Sequence, residues 1–118
     1  MTPKADPDCI FCRIVAKEIP ASEVARTDDA IVIADVNPKA PTHLLVIPTH
    51  HFENLGDFAT QATPHELGSL FALAAMFGRE APGDGYRVVV NEGSDGGQTV
   101  FHLHLHVLAG RHMSWPPG

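Results

Sequence analysis

The segment His102–Leu108 alternates histidine with aliphatic residues without a break, in the order His-Leu-His-Leu-His-Val-Leu. Side chains at positions i, i+2 and i+4 of a β-strand point to one face of a sheet. The run therefore predicts a strand, from Phe101 to Leu108, that presents three imidazoles on one face. Leu103, Leu105 and Val107 would occupy the opposite face and pack in a core.

This histidine face has three open interpretations. It could be an exposed surface that carries histidines by chance, or a metal site, since alternating histidines on strands do bind zinc. It could also supply a nucleophile for chemistry at phosphorus, and the glycine-rich loop before it, residues 91–98, favours this interpretation. Gly93, Gly96 and Gly97 permit positive φ angles, so successive N–H groups can converge on an anion. Gln98 and the following Thr99 add side-chain donors.

The rest of the chain predicts short elements in one domain, because 118 residues are too few for two cores. The predicted elements are a helix at 9–17, strands at 23–26, 30–34 and 44–47, a long helix from 64 to before Pro82, and strands at 86–90 and 101–108. Thr63, Pro64 and Glu66 form the signature of a helix start. The short connections favour an α+β fold with a five-stranded antiparallel sheet and two helices. Residues 1–8 are predicted as a flexible tail before a single domain at 9–118.

The charge and hydropathy of the chain exclude several classes of partner. Eight basic against 14 acidic residues leave a net charge of −6, whereas broad nucleic-acid binding depends on a basic surface. A single nucleotide is not excluded, because N–H groups, hydroxyls and imidazoles can hold its phosphate. No apolar run reaches about 18 residues and no signal peptide is visible. We therefore expect no nucleic acid or membrane as partner, and a cytoplasmic location.

The histidine run resembles the signature of the histidine triad (HIT) family, in which three histidines alternate with apolar residues. The segments Val90–Phe101 and Trp115–Gly118 are similar to the HINT branch in particular, and so are Ile19–Ala21 and Asp35–His43. The likeness covers nearly the whole chain from Cys9 onward. It implies a five-stranded antiparallel sheet, and a homodimer formed through the long helix and an edge strand.

The resemblance also implies a hydrolase that cleaves purine nucleoside 5′-phosphoramidates or acyl-nucleotidylates to a nucleoside monophosphate. His104 would become nucleotidylated, with His106 and Asn91 on the phosphate oxygens. Thr99 would lie beside the leaving group, and His43 would support the hydrogen bonds of the triad that begins at His102. The remaining implied nucleotide contacts are Ile10, Phe11 and Val36 for the base, Asp35 for the ribose, Gly97 and Gln98 in the loop, and Trp115 in the partner subunit's site. A dinucleoside polyphosphate hydrolase and a non-catalytic, nucleotide-binding regulatory adaptor are the alternative functions.

Cys9 and Cys12 are spaced to face one direction on the first helix. They could be a redox dithiol, two unpaired buried thiols or metal ligands, although a thioredoxin-like dithiol would require a preceding strand that this sequence lacks. Some bacterial HIT proteins bind zinc with such a pair, and the resemblance implies His51 and His102 as the other ligands, with His50 as the alternative to His51. A closed Cys₂His₂ set is a structural zinc site, so the chemistry would not require the metal.

Overall fold

The computed structural model describes residues 5–118, so the first half of the predicted tail lies outside the described residues. Within that range the helices are α1 (Ile10–Val15), α2 (Leu55–Gln61) and α3 (Pro64–Glu80), and the strands are β1 (Glu23–Arg26), β2 (Ala30–Ala34), β3 (Thr42–Pro48), β4 (Tyr86–Val89) and β5 (Leu105–Ala109). None of the helices in residues 5–118 has the length and apolarity needed to cross a bilayer.

The five strands form one antiparallel sheet in the order β1-β2-β3-β5-β4, which confirms the predicted fold class. In the register of β3 with β5, Leu45 lies opposite His106. His43 precedes Leu45 by two residues and therefore shares its face, so His43 and His106 are diagonal neighbours on the sheet. This register brings together two histidines that lie 63 residues apart in the chain.

The sheet separates two hydrophobic cores. The core under α2 and α3 contains Leu103, Leu105 and Val107, as the alternation predicts, together with Phe58 and Leu70. The core on the other face, under α1, is formed by Phe11, Ile14, Ile31, Ile33, Leu45 and Ile47. Because α1 begins at the Cys pair, this second core fixes the two cysteines against the histidine side of the sheet.

Strand β3 extends beyond its predicted bounds and β4 ends one residue early, but the larger differences from prediction concern β5 and α1. Strand β5 begins at Leu105, so the prediction of a strand from Phe101 is wrong for its first four residues. The N–H of Leu103 donates to the carbonyl of Phe52 at 2.7 Å, which lies outside the sheet. Helix α1 ends at Val15, before its predicted end, and Lys17 just beyond it adopts a φ of 64°.

Helix α3 follows its predicted start, whereas α2 was not predicted. Thr63 and Glu66 form the expected reciprocal capping box, and Pro64 is the first helical residue. Helix α2 spans seven residues after its N-cap Asn54. A helix this short shows no hydrophobic periodicity, so the expectation of two helices is corrected to three within the described residues.

Candidate functional site

The ring of His104 is held in one tautomer by the backbone. Its Nδ1 lies 2.8 Å from the carbonyl oxygen of His102. Since a carbonyl only accepts hydrogen bonds, Nδ1 carries the proton and Nε2 carries a lone pair. No atom within residues 5–118 pairs with this Nε2, and the side chain is half-buried. A neutral imidazole with a free Nε2 is competent for nucleophilic attack.

A line of hydrogen bonds that runs from Lys39 through His43 orients the ring of His106. The N–H of Lys39 donates to Nδ1 of His43 at 2.9 Å, so the proton of a neutral His43 lies on Nε2. That Nε2 lies 2.9 Å from Nδ1 of His106 and 3.3 Å from Oδ2 of Asp35. Donation to His106 leaves the proton of His106 on its own Nε2. His106 therefore offers an N–H donor beside the His104 ring, at a centroid distance of 5.0 Å.

The two rings of this line are neutral near pH 7. Burial lowers the pKa of His106 to about 4, and the neighbouring His104 and His43 rings lower it further. Burial also lowers the pKa of His43, against the opposing effect of the Asp35 carboxylate. The contacts along the line are therefore hydrogen bonds between neutral imidazoles, with one carboxylate at the side.

The predicted zinc ligands converge in one cluster. One ligand atom from each of Cys9, Cys12, His51 and His102 lies within 4.8 Å of all the others. Nδ1 of His102 is 3.2 Å from Sγ of Cys9 and 3.2 Å from Nδ1 of His51, and Sγ of Cys12 is 3.4 Å from Nδ1 of His51. We refer to these four residues as the Cys₂His₂ cluster.

The donor set of the Cys₂His₂ cluster fits a zinc ion. Nε2 of His102 donates to the carbonyl of Pro48 at 2.9 Å, so the lone pair on Nδ1 faces the cluster. Burial raises the pKa of the Cys12 thiol to about 11, and a bound divalent cation would favour its thiolate form. His50 is 2.9 Å from Glu66 at the surface, so the structure selects His51 and not His50 for the cluster.

The glycine-rich loop differs in part from its prediction. Gly93 and Gly97 have positive φ angles of 77° and 85°, as expected, whereas Gly96 does not. Gly96 is needed for close approach instead, because a Cβ there would lie 2.3 Å from the carbonyl oxygen of Glu92. The predicted Gln98 side-chain donor is already engaged within the protein, while the N–H of Thr99 donates to no acceptor in the described part of the chain.

The residues expected around the base occupy different surroundings. Phe11 is buried and packs edge-on against His102 and His104, at centroid distances of 5.9 and 5.1 Å. Val36 is 98% exposed and Ile10 is 48% exposed, so both are accessible to a ligand.

Trp115 lies outside this group of rings. It is 80% exposed, with the Arg87 guanidinium 5.9 Å above its ring. Asn91 is half-buried at the start of the glycine-rich loop.

Sequence analysis missed the backbone groups that set the ring tautomers. These are the carbonyls of His102 and Pro48 and the N–H of Lys39. Side-chain patterns carry no signal for such groups, because every residue except proline has the same donor and acceptor.

Comparison with known proteins gives a consistent result. The family model described as HIT domain matches residues 16–113. A 14 kDa zinc-binding protein of Zea mays is 42% identical over 116 residues, which cover 96% of this chain and 90% of that protein. The crystal structure of a HIT family hydrolase from Legionella pneumophila is 40% identical with a TM-score of 0.88, and the match covers 94% of this chain and 100% of that chain. A zinc-bound histidine triad family protein from Mycobacterium smegmatis is 32% identical with a TM-score of 0.77, covering 88% and 76% of the two chains.

Proposed function

This chain belongs to the HIT family, and on that premise we propose that it hydrolyses purine nucleoside 5′-phosphoramidates or acyl-nucleotidylates to nucleoside monophosphates, as the HINT branch does. One observation carries the proposal. The hydrogen bond from Nδ1 of His104 to the carbonyl of His102 leaves Nε2 unprotonated on a half-buried ring that lies beside the ring of His106. A protein that only binds nucleotides would not need this tautomer.

The reaction takes two displacements at the α-phosphorus. In the first, the lone pair on Nε2 of His104 forms a bond to phosphorus, and the bond from phosphorus to the leaving amine breaks as the amine takes up a proton from solvent. In the second, a water oxygen attacks the same phosphorus and the bond to His104 breaks. The nucleoside monophosphate departs, the water loses its proton to solvent, and His104 regains its neutral tautomer.

The surrounding groups would stabilise charge on the phosphate. The Nε2–H of His106, whose ring lies beside that of His104, would be one donor to the phosphate, and the free N–H of Thr99 and the amide of Asn91 would be two more. Positive charge that develops on the His104 ring is stabilised by the His102 carbonyl that accepts its Nδ1–H. Asp35 would bind the ribose hydroxyls.

We also propose that the Cys₂His₂ cluster holds one structural zinc ion. The convergence of two thiols and two imidazoles supports it, and so do the zinc-binding relative from maize and the zinc-bound relative from Mycobacterium smegmatis. Zinc would join α1 to the segment that contains His102, and no step of hydrolysis passes through it. Metal analysis of protein purified without chelators should find one zinc per chain.

A homodimer is the third part of the proposal. Phe71 and Met76 on α3 and Tyr86 and Val88 on the edge strand β4 are large apolar side chains that remain exposed. Burying such a surface against a second copy is favourable, and an open edge strand can pair with its equivalent. Trp115 would then lie near the partner subunit's site. Sedimentation equilibrium should give twice the mass of one chain.

Incubation with adenosine 5′-phosphoramidate tests the enzymatic proposal. Wild type should release the monophosphate, and His104→Ala should lower kcat/KM by at least about 10³-fold. Acid quenching during turnover should trap an adenylylated peptide that contains His104. Equal rates for the two proteins would refute the mechanism. Preferential cleavage of a dinucleoside polyphosphate would instead identify the alternative hydrolase, and tight monophosphate binding without turnover would identify an adaptor.

A further inference from the structure

Both ends of the glycine-rich loop are hydrogen-bonded to residues 52–56. We infer that Glu92 and Gln98 are positioning residues, which determine where this loop lies beside His104. The inference rests on the proposed function, in which the loop and Thr99 face the phosphate. It extends that function by assigning the placement of the loop to residues 52–56, which lead into α2. We refer to residues 52–56 as the anchor segment.

Gln98 fastens the inner end of the loop. Its side chain is 7% exposed, and its Nε2 donates to the carbonyls of Glu53 at 2.7 Å and Val100 at 3.1 Å. Its Oε1 accepts the N–H of Gly93 at 3.1 Å, while its own N–H donates to the Gly93 carbonyl at 3.0 Å. Both amide hydrogens and the amide oxygen are therefore engaged, so this side chain acts on a ligand only through the loop backbone.

Glu92 fastens the outer end of the loop. Its Oε1 accepts the N–H of Gly56 at 2.8 Å, and its carboxylate lies close enough that a Cβ on Gly56 would be 3.4 Å from Oε1. Gly56 is the second residue of α2, and an N–H at that position has no partner inside its own helix. Glu92 therefore satisfies a free donor at the start of α2 and holds the loop to it.

The anchor segment is also hydrogen-bonded to the segment that carries the three alternating histidines, His102–Leu108. The N–H of Leu103 donates to the carbonyl of Phe52 at 2.7 Å, one residue before the carbonyl that Gln98 contacts. The residues on either side of Leu103 are the proposed nucleophile and the residue whose carbonyl orients it. The anchor segment therefore sets the distance between the loop and His104. Loss of its hydrogen bonds to the loop should misplace the proposed phosphate donors.

Four variants test this inference, with kcat and KM for adenosine 5′-phosphoramidate and amide hydrogen exchange of the loop as readouts. Glu92→Ala removes the acceptor for Gly56, while Glu92→Gln keeps an acceptor oxygen and removes only the charge. Asp28→Ala removes the same charge in the exposed turn between β1 and β2, whereas the loop follows β4, the strand at the opposite edge of the sheet from β1. Glu92 is exposed, so its variants should fold, and Gln98→Glu provides a second change at the buried end.

We expect Glu92→Ala to lower kcat about tenfold with a smaller change in KM, because a misplacement of 1 Å can reduce the rate by about 10²-fold. Exchange at the N–H groups of residues 93 and 98 should become faster in the same variant, and also in Gln98→Glu, which loses the amide donors to Glu53 and Val100. Glu92→Gln should restore both values, and Asp28→Ala should match wild type. If Glu92→Ala matches Asp28→Ala in both readouts, the inference is overturned. If the exchange result holds but wild type has no activity, the anchoring stands and the proposed hydrolase function fails.

Discussion

The Cys₂His₂ cluster and the line of Asp35, His43 and His106 each contain two histidines, yet the two groups are suited to opposite chemistry. Each gathers ligand-type side chains whose atoms lie within 4.8 Å of one another. In the cluster, Nε2 of His102 donates to the Pro48 carbonyl, so the lone pair on Nδ1 faces the other three ligands. In the line, Nδ1 of His43 accepts the Lys39 N–H, so the proton on Nε2 faces His106.

For His102 and His43, the backbone group that contacts one ring nitrogen therefore determines what the other nitrogen can do. A lone pair directed into a set of thiols suits a metal, and second contacts of this kind are what orient ligating histidines. A proton directed at another imidazole suits a hydrogen-bond line, and a metal at Nε2 of His43 would require a ring with no proton on either nitrogen. We therefore expect zinc in the Cys₂His₂ cluster alone.

The largest expected effect comes from removing a ligand of that cluster. Cys12→Ser should abolish zinc binding and lower the free energy of unfolding by at least about 3 kcal/mol, because metal binding contributes directly to folding. Metal analysis and thermal unfolding measure both quantities. Asp35→Asn is the matched change in the other group and should retain one zinc per chain.

Two results would contradict the expectation that zinc binds in the Cys₂His₂ cluster alone. One is a zinc content that survives Cys12→Ser but is lost in Asp35→Asn. The other is a wild-type protein whose stability is the same before and after complete chelation.

A smaller effect is expected from His43→Asn. The change removes the Nε2–H that directs the proton of His106 toward the phosphate, so kcat should fall by about 10²-fold while zinc content stays at wild-type level. Steady-state kinetics with adenosine 5′-phosphoramidate measures the rate. An unchanged kcat would show that the His106 tautomer is set by something other than His43.

The smallest expected effect is a dependence of stability on pH. The pKa of His106 is lowered to about 4 by burial, from about 6.5 in an unfolded chain. Between these values the unfolded state binds a proton that the folded state does not, so the free energy of unfolding falls as pH decreases from about 6.5 to about 4. Above about pH 6.5 neither state binds this proton, so the contribution of His106 to the free energy of unfolding no longer changes with pH.

His106→Asn removes this titration and should lose less stability than wild type between about pH 7 and about pH 5. Urea denaturation of the two proteins at both pH values measures the difference. Parallel losses would mean that the folded pKa of His106 is close to its unfolded value.

Much of the fold was predictable because its signals are local. The alternation places Leu103, Leu105 and Val107 in a core, and Thr63, Pro64 and Glu66 mark the start of α3. Each of these patterns depends on contacts within one strand or one helical turn. Helix α2 was not predictable because seven residues show no hydrophobic periodicity, and the irregular start of the segment His102–Leu108 depends on a contact with the distant Phe52.

Three imidazoles and two thiols stand in the amino-acid sequence in patterns suited to phosphorus and zinc chemistry. The folded chain sets which nitrogen of His102, His43 and His106 carries the proton, and it brings His51 rather than His50 into the cluster. A tautomer follows the donor or acceptor that contacts the ring, and such a group can come from a distant part of the chain. For His102 that acceptor is the carbonyl of Pro48, 54 residues earlier in the chain.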